Sequence, residues 1–269
     1  MPGTGAFLAP ADMKIATWNV NGIRARQDEV AAFVEREQPD VLCLQEIKAA
    51  LDHIPKLVCE LPGYWCYWHG TKGYSGVGLH VRQAWAADRP AFVHPDFDNE
   101  TRIAVAELPA LSVASVYVPN GGKDFPAKVR FLEAMEAYAA AARAAGRPLV
   151  VCGDLNIART VMDVHPRERD ERLVGQRPDE RALLERVLAA GGLHDLGREL
   201  DPTNEALFTW WAPWRNLRQR NIGWRLDYVL ATEGMAARAV SCPSYREVGT
   251  SDHAPVVATF RTLAPGTAA

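Results

Sequence analysis

Short runs of apolar and β-branched residues, separated by polar stretches, recur along the whole chain. This pattern predicts eight strands, over residues 14–20, 41–44, 77–81, 103–108, 112–118, 149–152, 226–230 and 255–260. Helical periodicity predicts three helices, over residues 26–37, 125–145 and 178–190, each ending near glycine or before another strand. The chain is therefore mixed α and β throughout.

The order of these elements constrains the fold class. The strands predicted over 103–108 and 112–118 follow each other directly, so strict alternation of strand and helix fails. An α/β (α+β) architecture with two packed sheets flanked by helices accounts better for this order. With no linker or repeat, we expect a flexible leader over residues 1–12, one domain over residues 13–262 and a flexible tail over residues 263–269.

Composition and charge narrow the classes of partner. A formal net charge of -3 argues against a chain that is basic overall, so contact with a polyanion requires a local patch or a bound cation. Five cysteines without a C-x-x-C pair are typical of reduced thiols in the cytosol, and we expect a cytoplasmic protein. No run approaches the roughly 18 apolar residues of a membrane span, so no membrane contact is expected.

Polar side chains stand at the ends of most predicted strands. Ligands commonly bind beyond strand ends, so we expect one polar pocket if these ends converge. Oxygen donors with a single imidazole suit a hard cation such as Mg2+ or Mn2+, which in turn suits phosphate. Taken singly, each residue also has a plainer interpretation as a turn former, cap or core side chain. The candidates are Asn19, Gln45, Glu46, Tyr117, Asn120, Asp154, Asn156, Asp227, Tyr228, Asp252 and His253.

An aromatic and basic segment lies between Phe208 and Tyr228 and reads FTWWAPWRNLRQRNIGWRLDY. It holds half of the eight tryptophans, interleaved with arginines. Guanidinium groups bind phosphate and flat aromatic faces suit unstacked sugars and bases, so a nucleic acid is the natural partner. The alternative is that these tryptophans are core residues with arginines at a solvated rim.

Seven motifs, in this order, resemble the exonuclease III family of abasic-site (AP) endonucleases, within the DNase-I-like endonuclease/exonuclease/phosphatase superfamily. They are TWNVNGIR, PDVLCLQEIK, GYSGVGL, VYVPNGG, VCGDLNIA, NIGWRLDYVL and TSDHAPV, and the resemblance extends from Met13 to Phe260. It implies a four-layer α/β sandwich with two packed mixed β-sheets and an active site at one edge.

The resemblance also implies the chemistry of this site. A Mg2+ ion, with Mn2+ as a substitute, is expected among Asn19, Glu46, Asp154, Asn156, Asp252 and His253, with Glu46 as the principal ligand. Five residues carry catalysis by the same resemblance: Tyr117 contacts phosphate, Asp154 activates water, Asn156 donates to the oxyanion, and Asp227 orients His253 against the scissile phosphate. Two identities of the general base stay open: Asp154 itself, or an Asp–His pair.

Contacts with DNA follow from the same motifs. The family lines its abasic-sugar pocket where Trp210, Trp211 and Trp224 stand here, and Trp214 lies on the adjacent loop. Lys123 occupies a position where some members insert an arginine, and Glu100-Thr101-Arg102 replaces a frequent Glu-Gly-Arg segment, which weakens the expected contact at both places. The expected DNA-binding set is Arg24, Lys123, Trp210, Trp211, Trp214, Arg220 and Trp224.

The resulting expectation is a monomeric, Mg2+-dependent DNA repair nuclease. It would hydrolyse duplex DNA on the 5' side of abasic sites and act as a 3'–5' exonuclease. A phosphohydrolase of inositol phosphates or sphingolipids is a second hypothesis, against which the GWRLDY segment argues. A DNA-binding protein without catalysis is a third, and it conflicts with the presence of Glu46, Asp154, Asn156, Asp227 and His253.

Overall fold

The computed structural model describes residues 12–71 and 73–262. Within these residues the strands are β1 (Met13–Asn19), β2 (Val41–Gln45), β3 (Tyr64–His69), β4 (Val77–Arg82), β5 (Ala91–Val93), β6 (Ile103–Glu107), β7 (Ser112–Tyr117), β8 (Leu149–Asp154), β9 (Leu193–Asp195), β10 (Asp227–Thr232), β11 (Ala239–Ser241) and β12 (Val256–Phe260). The helices are α1 (Ile23–Glu37), α2 (Lys56–Cys59), α3 (Phe125–Ala144), α4 (Pro178–Gly191), α5 (Leu196–Leu200) and α6 (Glu233–Ala236).

The strands form two six-stranded mixed sheets. The first has the order β11-β12-β1-β2-β4-β3 and the second the order β5-β6-β7-β8-β10-β9. At the centre of each sheet lies one parallel pair, β1 with β2 and β7 with β8, and antiparallel strands flank both pairs. The carboxyl ends of β1, β2, β7 and β8 therefore lie where β10 and β12 begin.

Apolar side chains fill three layers of core, which makes the molecule a four-layer α/β sandwich, as the family resemblance implies. Residues such as Ile15 and Val229 pack between the sheets. The outer face of the second sheet packs on α3 and α4, and that of the first packs on α1, where Trp18 meets Phe33 edge to face at 5.6 Å. Because both faces of the central strands are covered, those strands are continuous apolar runs.

The three long helices lie where periodicity predicts them. Asp124 caps α3 by accepting a hydrogen bond from the backbone N–H of Ala127, at 2.9 Å. Gly192 ends α4 in the left-handed conformation, with φ of 57°, which glycine adopts without steric cost.

Some short elements were not predicted from the sequence, namely β3, β5, β9, β11, α2, α5 and α6. Several span only three to five residues, too few to display a period. β3 reads YWCYWH and lies at the edge of its sheet, where its half-exposed aromatic residues do not alternate with polar ones. The expected tail over residues 263–269 and nearly all of the leader lie outside the described residues.

All five cysteines are free thiols. Cys43, Cys152 and Cys242 lie buried in the core between the sheets, and burial raises the pKa of the Cys242 thiol to about 12. Among the described residues, no helix combines the length and apolar character that crossing a membrane requires.

Candidate functional site

The sheet topology collects the predicted site residues at one edge of the sandwich. Tyr117 and Asp154 end the parallel strands β7 and β8 opposite each other. Asp227 opens β10 and pairs with Asp154 from the other side. Asn19 ends β1 in the first sheet, and His253 lies just before β12. The two sheets therefore contribute side chains to the same cluster.

Asp154 is the buried centre of this cluster. Its Oδ2 accepts hydrogen bonds from Nδ2 of Asn19 at 2.9 Å and from Nδ2 of Asn156 at 3.3 Å. Its Oδ1 accepts the backbone N–H of Asn156 at 2.8 Å. Gly153, just before it, lets β8 lie close to β7, because a Cβ at that position would lie 1.8 Å from the carbonyl oxygen of Val116.

His253 connects Asp154 with Asp227. Its Nδ1 lies 2.8 Å from Oδ2 of Asp227, and its Nε2 lies 3.8 Å from Oδ2 of Asp154. Burial disfavours a charged imidazole, but the negative charges of Asp227 and Asp154 outweigh that effect and raise the pKa of His253 well above its ordinary value. These two carboxylates therefore favour the protonated form of the imidazole.

The acidity of Asp154 is shifted as well. Burial raises the pKa of Asp154 above its ordinary value, and the charges of Asp227 and Glu46 act in the same direction, while His253 opposes them. A carboxylate in this state accepts a proton more readily than one in water.

Asn156 holds Asp154 and the neighbouring loop together. Its Nδ2 donates to Asp154 and also to the carbonyl oxygen of Val118, at 2.9 Å. Its Oδ1 accepts from Nδ2 of Asn120 at 3.1 Å. Both amide hydrogens therefore have protein acceptors, which differs from the expectation of a group that is free to donate to an oxyanion.

Glu46 and Tyr117 form a second, adjoining group. The phenol of Tyr117 donates a short hydrogen bond to Oε1 of Glu46, and Nζ of Lys48 lies 2.6 Å from Oε2. Burial and the charge of Glu46 raise the pKa of Tyr117, so the phenol keeps its proton. Burial opposes ionisation of Glu46, yet Lys48 and Tyr117 lower its pKa, so it is a carboxylate.

Asp252 points to different partners than its neighbour His253. Its Oδ1 accepts from Nδ2 of Asn21 at 2.8 Å, and its Oδ2 accepts from Nε1 of Trp210 at 3.1 Å. Asn21 also accepts a hydrogen bond from Lys48. Asp252 is thereby linked through Asn21 and Lys48 to Glu46.

Arg102 keeps a close contact with the site despite the threonine beside it. Its guanidinium lies 4.8 Å from the ring centroid of Tyr117, and its Nε and Nη2 donate to Glu100. Thr101 adopts a left-handed conformation with φ of 57°. That backbone conformation is the one that glycine accommodates best, so a threonine at this position carries backbone strain.

The donors present fit a divalent cation. Asp154, Asp227 and His253 offer ligand atoms that all lie within 4.8 Å of one another. Oδ1 of Asp227 is buried and has no hydrogen-bond partner among the described residues. A buried carboxylate oxygen without a partner is costly unless a proton or a cation satisfies it. This buried Asp, Asp and His group can therefore bind a metal.

The tryptophans of the aromatic segment divide into three environments. Trp210 and Trp224 are half-buried and pack edge to face at 5.4 Å, with Trp210 beside His253. Trp214 is 59% exposed. Trp211 is buried in a small core with Phe208, so the prediction that its ring faces DNA is wrong. Its indole N–H donates to Asn221 instead.

The expected basic contacts lie on the surface around the site. Arg24, Lys123 and Arg220 are all exposed. Lys123 lines a groove of about 480 Å³ that begins at Tyr117 and also contains Arg102 and Arg130.

Sequence reasoning missed Lys128, a lysine of α3 that is fully buried. Its Nζ donates to the carbonyl oxygens of Asn156 and Asn120, at 2.8 and 3.1 Å, and pairs with the buried Glu180. A lysine on an amphipathic helix is ordinarily exposed, so no local signal marks this one. Lys48 also went unpredicted as a site residue, although the motif LQEIK places it two residues after Glu46.

Comparison with known proteins identifies a family and relatives for this chain. Residues 16–253 match the model of the Endonuclease/Exonuclease/phosphatase family. Recombination repair protein 1 of Drosophila melanogaster is 33% identical over 95% of this chain, which spans 39% of that longer protein. Exodeoxyribonuclease III of Haemophilus influenzae is 32% identical, covering 93% of this chain and 100% of its own length.

Solved structures share the fold over nearly the whole chain. An AP endonuclease from Archaeoglobus fulgidus superposes with a TM-score of 0.82 at 28% identity, covering 93% of this chain and all of that one. The 3' phosphatase NExo from Neisseria, bound to a product DNA hairpin, gives 0.83 at 30% identity with the same coverage. The chain belongs to the Endonuclease/Exonuclease/phosphatase family. Within it, the chain is a member of the exonuclease III group of AP endonucleases.

Proposed function

We propose that this protein is a Mg2+-dependent DNA repair nuclease that incises duplex DNA on the 5' side of abasic sites and acts as a 3'–5' exonuclease. The observation that supports this proposal most strongly is the buried cluster in which Asp154 lies between two asparagine amides and a protonated His253. Such a cluster combines a proton acceptor with a cationic donor, as hydrolysis of a phosphodiester requires. The names of the related exodeoxyribonuclease III and AP endonuclease support the choice of DNA as the substrate.

In this proposal Asp154 accepts a proton from the attacking water, and the water oxygen forms a bond to phosphorus as the ester bond breaks. The bond that breaks joins phosphorus to the 3'-oxygen, which leaves and takes a proton from solvent, so the products are a 3'-hydroxyl and a 5'-phosphate. Asn19 and Asn156 orient Asp154 by donating to it. His253, kept protonated by Asp227, donates to a phosphate oxygen on which negative charge develops.

This assignment favours Asp154 over an Asp–His pair as the general base. The negative charges of Asp227 and Asp154 raise the pKa of His253 and so favour the protonated imidazole, which can donate to phosphate but cannot accept the proton of water. The Asp227 carboxylate would then hold His253 in place and stabilise its charge.

Mg2+ is the proposed ion, with Mn2+ as a substitute, because oxygen ligands predominate. Glu46, Asn19 and Asp252 are the proposed ligands, together with Asp154 and Asn156. A protonated His253 has no free lone pair, so in this proposal it contacts the phosphate instead of taking a place among the ligands. When bound, the cation supplies stabilisation for negative charge on the phosphate oxygens. Tyr117, as a protonated phenol beside Glu46, is proposed to contact the same phosphate.

The proposed DNA path runs across the edge where the strands end. Trp210 and Trp224 form an aromatic wall next to His253, suited to a sugar that lacks its base. Lys123 and the groove beside Tyr117 would follow the backbone on one side. Arg24, Trp214 and Arg220 are proposed to contact it elsewhere, since all three are exposed.

We further infer a monomer in the cytoplasm. One chain supplies every residue of the proposed site, so a second copy is not needed to complete it. The five free thiols support a reducing compartment. Sedimentation at micromolar concentration tests the first inference, and a mass of two chains would contradict it.

An incision assay tests the proposed function. A duplex with one abasic analogue is incubated with Mg2+ or with EDTA, using the native protein, Asp154→Ala and the control Asp179→Asn, which changes an exposed carboxylate. We expect cleavage only with the metal, and a loss of about 10²-fold or more in Asp154→Ala. Absence of metal-dependent incision, or full activity of Asp154→Ala, would contradict the proposal.

A side-by-side assay measures how much AP endonuclease, 3'–5' exonuclease and 3'-phosphatase activity the proposed site has. Abasic duplex, a recessed 3' end and a 3'-phosphate are offered at equal concentration. The proposed function predicts turnover of the first two. The similarity to a solved 3' phosphatase makes the third substrate an informative comparison.

A further inference from the structure

A second group of metal-binding side chains lies outside the proposed catalytic centre. His69 ends β3, His94 follows β5 and Asp98 lies in the loop before β6. One ligand atom from each of the three lies within 4.8 Å of the other two. β3 and β5 are edge strands of different sheets, so this group joins the two sheets along one side of the sandwich.

We propose that His69, His94 and Asp98 form a separate binding site for Zn2+. Two imidazoles and one carboxylate are a donor set that zinc readily uses, with water completing the coordination. The catalytic centre is richer in oxygen and suits a harder ion. The two sites therefore differ in the ion they select.

The contacts between these side chains bring their donor atoms together. Nε2 of His69 lies 2.6 Å from Oδ2 of Asp98. The rings of His69 and His94 lie 3.8 Å apart between centroids, tilted by 36°. Two imidazolium ions at this separation would repel each other, whereas two neutral imidazoles can direct lone pairs at a shared cation.

Outer partners fix the orientation of two of the three ligands. The phenol of Tyr67 lies 2.6 Å from Nε2 of His94, and the Tyr67 ring is itself held by stacking on Phe92 at 4.9 Å. Oδ1 of Asp98 accepts the backbone N–H groups of Arg102 and Ile103, at 2.8 and 3.1 Å. Hydrogen bonds of this kind orient the ligands of protein metal sites and tune their affinity.

The position of the site gives the bound ion a structural role. Asp98 holds the backbone of Arg102, and Arg102 packs on Tyr117 and donates to the hydroxyl of Tyr74. An ion that draws His69, His94 and Asp98 together would brace this wall of the groove beside Tyr117. His94 is exposed, so the ion can enter from solvent.

A metal titration tests the proposal with a readout other than nuclease activity. The full-length protein, freed of metals with chelator, is titrated with Zn2+ by calorimetry, and with Co2+ as a spectroscopic probe, in saturating Mg2+. The variants are His69→Gln and His94→Gln. His194→Gln is the matched control, because His194 also pairs with a surface carboxylate, Glu199 at 2.9 Å, but has no second imidazole. His253→Gln removes the only imidazole of the catalytic centre.

We expect one equivalent of Zn2+ that is retained in His194→Gln and His253→Gln and lost in both His69→Gln and His94→Gln. Tyr67→Phe should weaken binding by about tenfold, since it removes only an outer partner. Co2+ should give visible bands of a nitrogen-ligated ion that disappear in the same two variants. Equal binding by the native protein and the two variants, or loss of binding in His194→Gln, would overturn the proposal.

Discussion

The imidazole of His253 and the carboxylate of Asp227 meet across the seam between the two sheets, 2.8 Å apart at Nδ1 and Oδ2. Asp227 opens β10 in the second sheet, while His253 lies directly before β12 in the first. Asn19 and Asp154 make a second hydrogen bond across the same seam. The proposed site therefore exists only when the two sheets are packed in register.

Replacing Asp227 by asparagine tests the importance of this contact. The amide carries no negative charge, so the imidazolium of His253 loses its main stabilisation. We expect the rate of abasic-site incision to fall by about 10²- to 10⁴-fold at saturating Mg2+. Single-turnover kinetics measure this change. Asp201→Asn, which alters an exposed carboxylate, should retain the native rate, and an unaltered rate in Asp227→Asn would exclude the proposed role.

Lys128→Met tests the buried ion pair beneath the site. Removal of the lysine leaves Glu180 buried without its partner, which costs about 3–5 kcal/mol in the free energy of unfolding. The carbonyl oxygens of Asn156 and Asn120 lose their anchor as well. Urea unfolding measures the loss of stability.

A double variant separates charge from packing at this position. In Lys128→Met/Glu180→Leu the uncompensated carboxylate is gone, so part of the lost stability should return. We expect the incision rate to be low in Lys128→Met, and to stay low in the double variant, because in both proteins no lysine holds the loop of Asn156. Recovery of the full rate would show that Lys128 has no positioning role.

The pH dependence of stability should report on a second buried network. Arg225 donates to both Asp163 and Asp195. Burial opposes ionisation, but Arg225 and Arg198 hold the pKa of Asp163 down at about 2, from an ordinary 3.8. The ionised carboxylate therefore stabilises the fold above about pH 4, by about 2 kcal/mol, and this contribution disappears as the pH falls towards 2.

Urea unfolding of the native protein and Asp163→Asn between pH 7 and pH 2.5 measures this effect. Asp163→Asn should be less stable at neutral pH, and the difference between the two proteins should shrink as the pH falls. A difference that stays constant over this range would mean that Asp163 is not the titrating group.

Two neighbouring tryptophans should respond differently to alanine. Trp211→Ala removes a buried ring and should lower the free energy of unfolding by about 3–5 kcal/mol. Trp214→Ala removes an exposed ring, so we expect unchanged stability and DNA binding weaker by about 1 kcal/mol. Thermal unfolding and fluorescence anisotropy at constant salt distinguish the two. Unchanged anisotropy in Trp214→Ala would remove that residue from the DNA-binding surface.

The positions of Asn19, Asp154 and His253 could be predicted from the sequence, because each adjoins a buried strand whose direction places its end at the common edge. The separate environments of Trp211 and Trp214 could not, since both lie in one irregular segment without a period to indicate which side faces the core. The burial of Lys128 was even harder to predict. Its helix position gives no indication of burial, which depends on Glu180, 52 residues away.

The hydrogen bond between Asp252 and Trp210 likewise could not be predicted from the sequence. Adjacent residues normally suggest a shared role, yet Asp252 and His253 turn to different partners. The backbone conformation of the residues before β12 decides which way each side chain points. That conformation depends on packing against the loop around Trp210, which pairs with His253. Motif order could identify the group of residues but not the contacts within it.

The thiols between the sheets bear on the conditions in which the protein can work. Oxidants attack the thiolate form of cysteine, and burial raises the pKa of Cys152 and Cys242 so that these side chains stay protonated and shielded. The conditions that damage DNA oxidatively would thus leave the packing of the two sheets intact.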